Sequence, residues 1–212
     1  MPEHFDQAFW DEHYRSHPTL WSGNPNAHLL EQTAGLAPGL ALDIACGEGA
    51  DAIWLAQRGW RVTGLDLSAV ALGRAAANAR QAGGDVAERI NWVQADLRTW
   101  EPGTEHYDLV ASHYMHLPSV PRRVLFDHLA SAVAPGGTLL IVGHHPSDLQ
   151  TTVPRPKEPD LFFTGDDIAA QLDAEEWMVD VNEAPGRTVS DPEGRDVTVH
   201  DTVFRAHRRC DV

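Results

Sequence analysis

A short apolar run that turns through two glycines constrains this chain more than any other feature of its sequence. Leu40 to Ile44 is apolar apart from Asp43, and Gly47 and Gly49 then lead into the helix-forming run 50–56. A strand that turns through glycines into a helix leaves backbone N–H groups and a helix N-terminus facing a ligand. The stretch therefore predicts the first strand and the ligand-binding turn of an α/β sheet.

Two acidic residues narrow the choice of ligand. Asp43 lies inside the strand, where a dinucleotide fingerprint normally carries an apolar residue, and Asp66 ends the next apolar run, 19 residues after Gly47. An acid at the end of that second strand can accept hydrogen bonds from both ribose hydroxyls of an adenosine. The pair favours an adenosine-containing cofactor other than NAD. NAD itself and a turn that binds no ligand are the alternatives.

Strand and helix patterns alternate along the first two thirds of the chain. Predicted strands 61–65, 90–94, 107–112 and 138–143 are separated by helical stretches such as 69–81, for which Ser68 is a good N-cap. Such alternation predicts a doubly wound parallel sheet with right-handed crossovers. Two further strands, 177–182 and 198–206, add an antiparallel pair. The expected fold is α/β, with a seven-stranded Rossmann-like sheet.

Length and charge limit the organisation and the partners. The 212 residues suit one α/β domain, and 16 basic against 31 acidic side chains give a formal charge of −15. So negative a chain repels nucleic acids and anionic membranes. The two cysteines form no zinc or disulfide pattern, and neither a signal peptide nor a membrane span is evident. We expect a soluble, cytoplasmic monomer or homodimer that acts on a small molecule.

Within that single domain, 1–212, four parts are distinguished. Residues 1–38 are predicted to form a helical lid, whose aromatic side chains Tyr14 and Trp21 either close over a cationic ligand or simply pack on the domain. Residues 39–143 form the cofactor-binding core. The proline-rich segment 144–163 is long for a connection, which indicates a lid or substrate loop. Residues 164–212 carry a short helix and the antiparallel strands.

Motifs at several strand ends resemble those of class I S-adenosylmethionine (SAM) methyltransferases. The matching stretches are 42–49, 62–68, 95–97, 107–110 and 134–137, and residues 191–195 with the last strand are most similar to the tellurite-resistance and thiopurine-methyltransferase-like branch. The His-Arg pair of that tail is absent, since Thr188 and Val189 occupy its place. The resemblance implies SAM as the cofactor. The residues it assigns to cofactor binding are Tyr14, Trp21, Asp43, Ala45, Cys46, Gly47, Gly49, Asp51, Asp66, Leu67, Ser68, Ala95, Asp96, Leu97, Ser112 and His113.

Methyl transfer from SAM is an in-line displacement, in which alignment supplies much of the rate enhancement. An alcohol or a protonated amine also needs a base, and histidine titrates near neutral pH. His116 and His145 are the predicted catalytic residues, and His144, Arg187 and Arg195 the predicted substrate contacts. Ordinary exposed histidines and surface arginines are the alternatives. The histidine cluster could also bind zinc, although we expect no metal because no helical pair preorganises the ligands.

The sequence thus predicts a SAM-dependent methyltransferase. Its acceptor is a small thiol, chalcogen oxyanion, amine or hydroxyl compound. There are two alternative functions: a SAM-binding regulator without catalysis, or an NAD-dependent oxidoreductase.

Overall fold

A computed structural model describes residues 6–18 and 20–210 of the chain, so residues 1–5 of the predicted N-terminal lid lie outside the described part. None of the helices in these ranges is long and apolar enough to cross a membrane. The helices are α1 (Gln7–Ser16), α2 (Ala27–Thr33), α3 (Ala50–Gln57), α4 (Ala69–Ala82), α5 (Gly84–Ala87), α6 (Ser119–Ser131) and α7 (Gly165–Ala169). The strands are β1 (Leu40–Ile44), β2 (Arg61–Asp66), β3 (Ile90–Gln94), β4 (Tyr107–His113), β5 (Val133–His144), β6 (Trp177–Glu183), β7 (Gly186–Ser190) and β8 (Asp196–Arg208).

The strands form a mostly parallel sheet with the order β3-β2-β1-β4-β5-β8-β6. The first five run parallel, and β8 pairs antiparallel with both β5 and β6. The predicted fold class is confirmed, with one strand more than expected among the described residues. That strand, β7, lies between the strands predicted at 177–182 and 198–206 and pairs with the first residues of β8. It arises because β8 has 13 residues and its first half extends beyond the pairing with β6.

Alternating side chains of the central strands build two separate cores. Leu139 and Ile141 of β5 belong to the core that also contains Phe126 of α6. Leu140 and Val142 belong to the core on the other face, together with Leu29 of α2 and residues of α3. The alternation places His144, the last residue of β5, on the α2 and α3 face. Side chains at this end of the sheet therefore face the N-terminal helices.

The segment 144–163 follows β5 and holds two short 3-10 turns, Pro146–Gln150 and Pro159–Leu161. Buried Asp148 ties the first turn to β8, because its Oδ1 accepts the N–H of His200 at 2.8 Å. Buried Arg122 ties the second turn to α6 by donating to the carbonyl of Asp160 at 2.6 Å. A capping box of Thr164 and Asp167 begins α7, the short helix predicted after this segment. The segment 144–163 is thus held at both ends by contacts with β8 and α6.

Candidate active site at the carboxyl ends of the strands

The turn after β1 has a left-handed backbone at three positions, Ala45 (φ 56°), Gly47 (φ 54°) and Gly49 (φ 85°). The N–H of Cys46 donates to the carbonyl of Leu65 at 2.9 Å, which ties the turn to the end of β2. A Cβ at Gly49 would lie 2.6 Å from the indole of Trp92, so glycine is required there by contact as well as by conformation. Burial and nearby acidic charges raise the pKa of Cys46, which therefore stays a neutral thiol.

Asp66 is held rigidly beside this turn. Its Oδ2 accepts the N–H of Gly47 at 2.9 Å and its Oδ1 accepts the N–H of Ser68 at 2.8 Å. Burial raises the pKa of Asp66, and the two backbone hydrogen bonds oppose that rise. A carboxylate oxygen accepts more than one hydrogen bond. Asp66 can therefore bind ligand hydroxyls without losing these two contacts.

The N-terminal segment lies directly over the glycine turn. Trp21 Nε1 donates to the Tyr14 hydroxyl at 3.1 Å, and a Cβ at Gly47 would lie 3.1 Å from that hydroxyl. Arg74 of α4 holds the segment in place by donating to Glu48 Oε1 at 2.9 Å and to the carbonyl of Tyr14. A second anchor is Asp11, whose Oδ1 accepts from the Ser68 hydroxyl at 2.6 Å. The structure thus brings Tyr14 and Trp21 together with the predicted cofactor residues.

Asp43, Asp51 and His113 form a cluster below the turn, with one donor atom of each within 4.8 Å of the others. Asp43 Oδ2 is buried and has no hydrogen-bond partner among the described residues. Burial and the charges of Asp51 and Asp66 raise its pKa. Asp51 Oδ2 lies 2.8 Å from His113 Nδ1, and buried Ser112 precedes this histidine in β4. The cluster provides negative charge that suits a cationic group.

Four further predicted cofactor-binding residues lie near β3. Leu67, Ala95 and Asp96 line an open cavity of about 1010 Å³ together with residues of α1. Leu97 and Ala95 pack against the core that contains Phe126. Arg98, which the sequence interpretation missed, donates its Nε to Asp96 Oδ1 at 2.9 Å and thereby lowers the pKa of Asp96. Asp96 faces the cavity as a paired carboxylate rather than a free one.

On the acceptor side, the imidazoles of His116 and His144 stack on each other, with ring centroids 4.9 Å apart. Tyr114 also contacts His144, at 4.9 Å, and has a left-handed backbone (φ 51°). His145, the other predicted catalytic residue, has its Nδ1 3.0 Å from Ser147 Oγ in a separate group with His200. The reason is that successive residues at the end of β5 point to opposite faces of the sheet.

Burial and the neighbouring imidazole of His144 lower the pKa of His116 to about 3. The guanidinium groups of Arg155 and Arg122 contribute to the same shift. At neutral pH, His116 is therefore an uncharged imidazole and a weak base. Its Nε2 is buried and has no hydrogen-bond partner among the described residues, so it is available to a ligand.

Asp201 of β8 is a buried carboxylate that the sequence interpretation missed. Its Oδ2 accepts from Arg187 Nε at 2.8 Å and lies 3.4 Å from His28 Nε2. Its Oδ1 lies 3.9 Å from His144 Nδ1, which is an electrostatic contact rather than a hydrogen bond. An acid inside an otherwise apolar strand pattern, like Asp43 in β1, is the signal that could have revealed it.

The two arginines predicted as substrate contacts, Arg187 and Arg195, lie in different places. Arg187 pairs in register with Val199, whereas Arg195 lies at the far end of the β7–β8 hairpin and donates to Asp191 at 2.8 Å. The strand β7 separates the two arginines. Arg155 of the segment 144–163 contributes to the lowered pKa of His116, and its Nε donates to Asp148 at 3.0 Å.

The sheet order, the glycine turn and the acid at the end of β2 together define the architecture of class I SAM-dependent methyltransferases. Residues 41–137 match the family model described as a methyltransferase domain. This part of the chain is therefore similar to methyltransferase domains, and SAM as the predicted cofactor is confirmed at the level of that family. The more specific resemblance to the tellurite-resistance branch stays a prediction.

Three similar proteins illustrate the relationship. An uncharacterized methyltransferase of Mycobacterium tuberculosis (strain ATCC 25618 / H37Rv) is 34% identical over 122 residues, which is 56% of this chain and 59% of the relative. A probable thiol methyltransferase of Arabidopsis thaliana is 30% identical over 137 residues, 62% of this chain and 59% of the relative. A chain solved in work on the conversion of a disulfide bond into a thioacetal group during echinomycin biosynthesis has a TM-score of 0.71 at 25% identity, covering 97% of this chain and 93% of that one.

The match thus spans 59% of the length of each of these two curated relatives.

Proposed function

We propose that this protein is a SAM-dependent methyltransferase whose acceptor is a small thiol that reacts as its thiolate. The observation that carries the acceptor class is the neutral, weakly basic His116, whose pKa is lowered to about 3. An alcohol or a protonated amine needs a base, and a group with so low a pKa is a poor one at neutral pH. A thiolate needs none, because thiols ionise close to physiological pH.

The residues around the glycine turn fit the cofactor. When bound, SAM supplies an electrophilic methyl group on a sulfonium sulfur. Asp66 is placed to bind the ribose hydroxyls. The buried, unpartnered Oδ2 of Asp43 and the cluster around it suit the ammonium of the methionine part. Tyr14 and Trp21 lie over Gly47, where they shield the cofactor from water and offer aromatic faces to the sulfonium.

On the acceptor side, the chain's own residues orient the nucleophile. His116 and His144 present stacked, partly buried imidazoles at the ends of β4 and β5. Phe162, whose ring centroid lies 6.4 Å from that of His144, adds an apolar wall. Such a surface removes water from a thiolate and so favours its attack. Positioning, rather than proton removal, is the role that we propose for His116.

The similar proteins support a sulfur acceptor. The Arabidopsis relative carries the description of a probable thiol methyltransferase, and the solved chain with a TM-score of 0.71 comes from work on the conversion of a disulfide into a thioacetal. Both descriptions concern sulfur compounds. The cytoplasmic location and the lid roles of residues 1–38 and 144–163 are parts of the same proposal.

The test is to measure S-adenosylhomocysteine formation with an aryl thiol and an alkyl thiol of different pKa across pH. We expect turnover with both, and a rising limb of the pH profile that moves with the pKa of the thiol. A limb that stays at one pH for both thiols would indicate a protein base instead. Turnover of amines or alcohols without turnover of thiols would show that the acceptor class is wrong.

A further inference from the structure

Buried Asp201 collects side chains from four separate segments of the fold. Its strand neighbour across the β5–β8 pairing is His144, so the two side chains lie on the same face of the sheet. Arg187 comes from β7 and His28 from α2. The fourth is Tyr114, whose pKa is raised to about 12 by burial and by the negative charge of Asp201.

We propose that Asp201 is the positioning residue of the acceptor site. Asp201 fixes the rings of His144 and Tyr114 and ties their orientation to the N-terminal segment. The inference rests on the proposed methyl transfer, because it concerns the same site. His116 is positioned in turn through its stacking on His144. None of these contacts requires Asp201 to touch the acceptor.

The conformation of Tyr114 supports a functional role for this arrangement. A left-handed backbone at a bulky residue is strained and persists only where its surroundings enforce it. Tyr114 follows β4 with this backbone, and its ring packs on that of His144 at the end of β5. The backbone N–H of Tyr114 donates to the carbonyl of Val142 at 2.8 Å, so the strained residue is anchored to β5.

The buried charge itself gives a second reason. An ion pair of this kind contributes little to stability compared with apolar side chains of similar volume. Asp201 is 1% exposed, while its partner Arg187 has a side chain that is 44% exposed. A core carboxylate with a solvent-facing cation and two imidazoles beside it is well suited to orienting those imidazoles.

His28 connects Asp201 to the predicted lid. It lies near the start of α2, whose N-cap Asn26 donates its backbone N–H to Asp51 Oδ1 at 2.6 Å. Helix α2 therefore contacts both the cofactor-side cluster and the acceptor-side carboxylate. A movement of the N-terminal segment would alter the position of His28 and the charge around His144 together.

The experiment combines nuclear magnetic resonance of the imidazoles at one fixed pH with kinetics on the full chain. In Asp201→Asn, the ring resonances of His28 and His144 should move, because the carboxylate beside both rings is removed. In Arg187→Gln they should also move, because Asp201 loses the hydrogen bond that holds it. His28→Gln and His144→Gln assign the two resonances. With a thiol acceptor, kcat of Asp201→Asn should fall at least tenfold, while the Kd of S-adenosylhomocysteine stays within threefold.

Asp191→Asn is the matched control, because Asp191 is also a buried carboxylate paired with an arginine on the same hairpin. It should lower the melting temperature without changing kcat or the two imidazole resonances. Unchanged imidazole resonances in both site variants, or a kcat of Asp201→Asn within twofold of wild type, would overturn the inference. If Asp201→Asn does not fold, Arg187→Gln alone decides it by whether the His144 resonances move. If the wild-type chain methylates no thiol, the proposed function fails, and the resonances still decide the role of Asp201.

Discussion

Trp21 donates its indole N–H to the Tyr14 hydroxyl at 3.1 Å, immediately above Gly47 of the glycine turn. The two aromatic residues come from α1 and from the loop before α2, so the contact closes the N-terminal segment on itself. Tyr14 is buried, whereas Trp21 is 53% exposed. The indole therefore retains surface that a bound ligand can cover.

The first prediction concerns this contact. Trp21→Ala removes the hydrogen bond and an aromatic face beside the cofactor, so the Kd of SAM should rise about fivefold to tenfold, or ~1–1.4 kcal/mol. Titration calorimetry measures the change. Trp54→Ala is the control, because Trp54 of α3 stacks on Arg58 at 3.8 Å and should leave the Kd within a factor of about two. Equal effects of both variants would contradict a lid role for Trp21.

The second prediction concerns Asp66. Asp66→Ala leaves the N–H groups of Gly47 and Ser68 without their acceptor and removes the proposed contacts to the ribose. The affinity for S-adenosylhomocysteine should fall about 100-fold, which corresponds to roughly 3 kcal/mol. Binding within threefold of wild type, measured by calorimetry on a folded variant, would exclude Asp66 as the ribose anchor.

The third prediction separates stability from binding at Asp43. Burial and the charges of Asp51 and Asp66 raise its pKa above the value in the unfolded chain, so the ionised form destabilises the folded state. The penalty exists above the unfolded pKa of about 3.9 and disappears as the pH falls below it. Asp43→Asn should therefore raise the melting temperature at pH ~7 by about 2–4 °C, with no gain below pH ~4.

Asp43→Asn should also bind SAM more weakly, because its amide carries no charge for the proposed contact with the ammonium of the methionine part of SAM. Thermal melts with and without S-adenosylhomocysteine measure both effects. A variant that is less stable than wild type at neutral pH would show that Asp43 is a structural acceptor instead.

The fourth prediction is an acid-dependent loss of stability at Asp201. Burial alone would raise its pKa, but the imidazoles of His144 and His28 and the guanidinium of Arg187 hold the pKa well below its usual range. Its stabilising contribution is therefore present above the unfolded pKa of about 3.9 and is lost as the pH falls toward the folded value. Below pH ~4, Asp201→Asn should reduce the slope of unfolding free energy against pH by up to one proton, about 1.4 kcal/mol per pH unit. Urea unfolding at several pH values measures these slopes. Equal slopes for wild type and Asp201→Asn would contradict this linkage.

The sequence predicted the sheet and the cofactor side of the site because their signals are local. Asp43, Gly47 and Gly49 lie within one strand and its turn, and the α/β alternation places the end of the next strand, with Asp66, beside them. The acceptor side depends on contacts between distant segments. Asp201 and His28 are 173 residues apart, and their contact follows from the pairing of β8 with β5 and from where α2 packs.

Two misplacements have related causes. His145 was grouped with His116 because both follow strands, but neighbouring residues at the end of a strand face opposite sides. Arg195 was grouped with Arg187 because the intervening residues read as a loop. In the structure they form β7, which places the two arginines at opposite ends of a hairpin.

The last prediction tests that separation. Arg187 contacts Asp201 beside the histidines, whereas Arg195 contacts Asp191 and Glu193 at the tip of the hairpin. Arg187→Gln should lower kcat/KM for the acceptor at least tenfold, or roughly 1.4 kcal/mol, because it leaves the negative charge of Asp201 unbalanced next to an incoming thiolate. Arg195→Gln removes a charge of similar exposure on the same hairpin and should leave kcat/KM within a factor of about two, apart from a small loss of stability. Steady-state kinetics of both variants with one thiol give the comparison. If Arg195→Gln lowers kcat/KM as much as Arg187→Gln, the hairpin tip reaches the acceptor, and the sequence-based pairing of the two arginines as a clamp would be right.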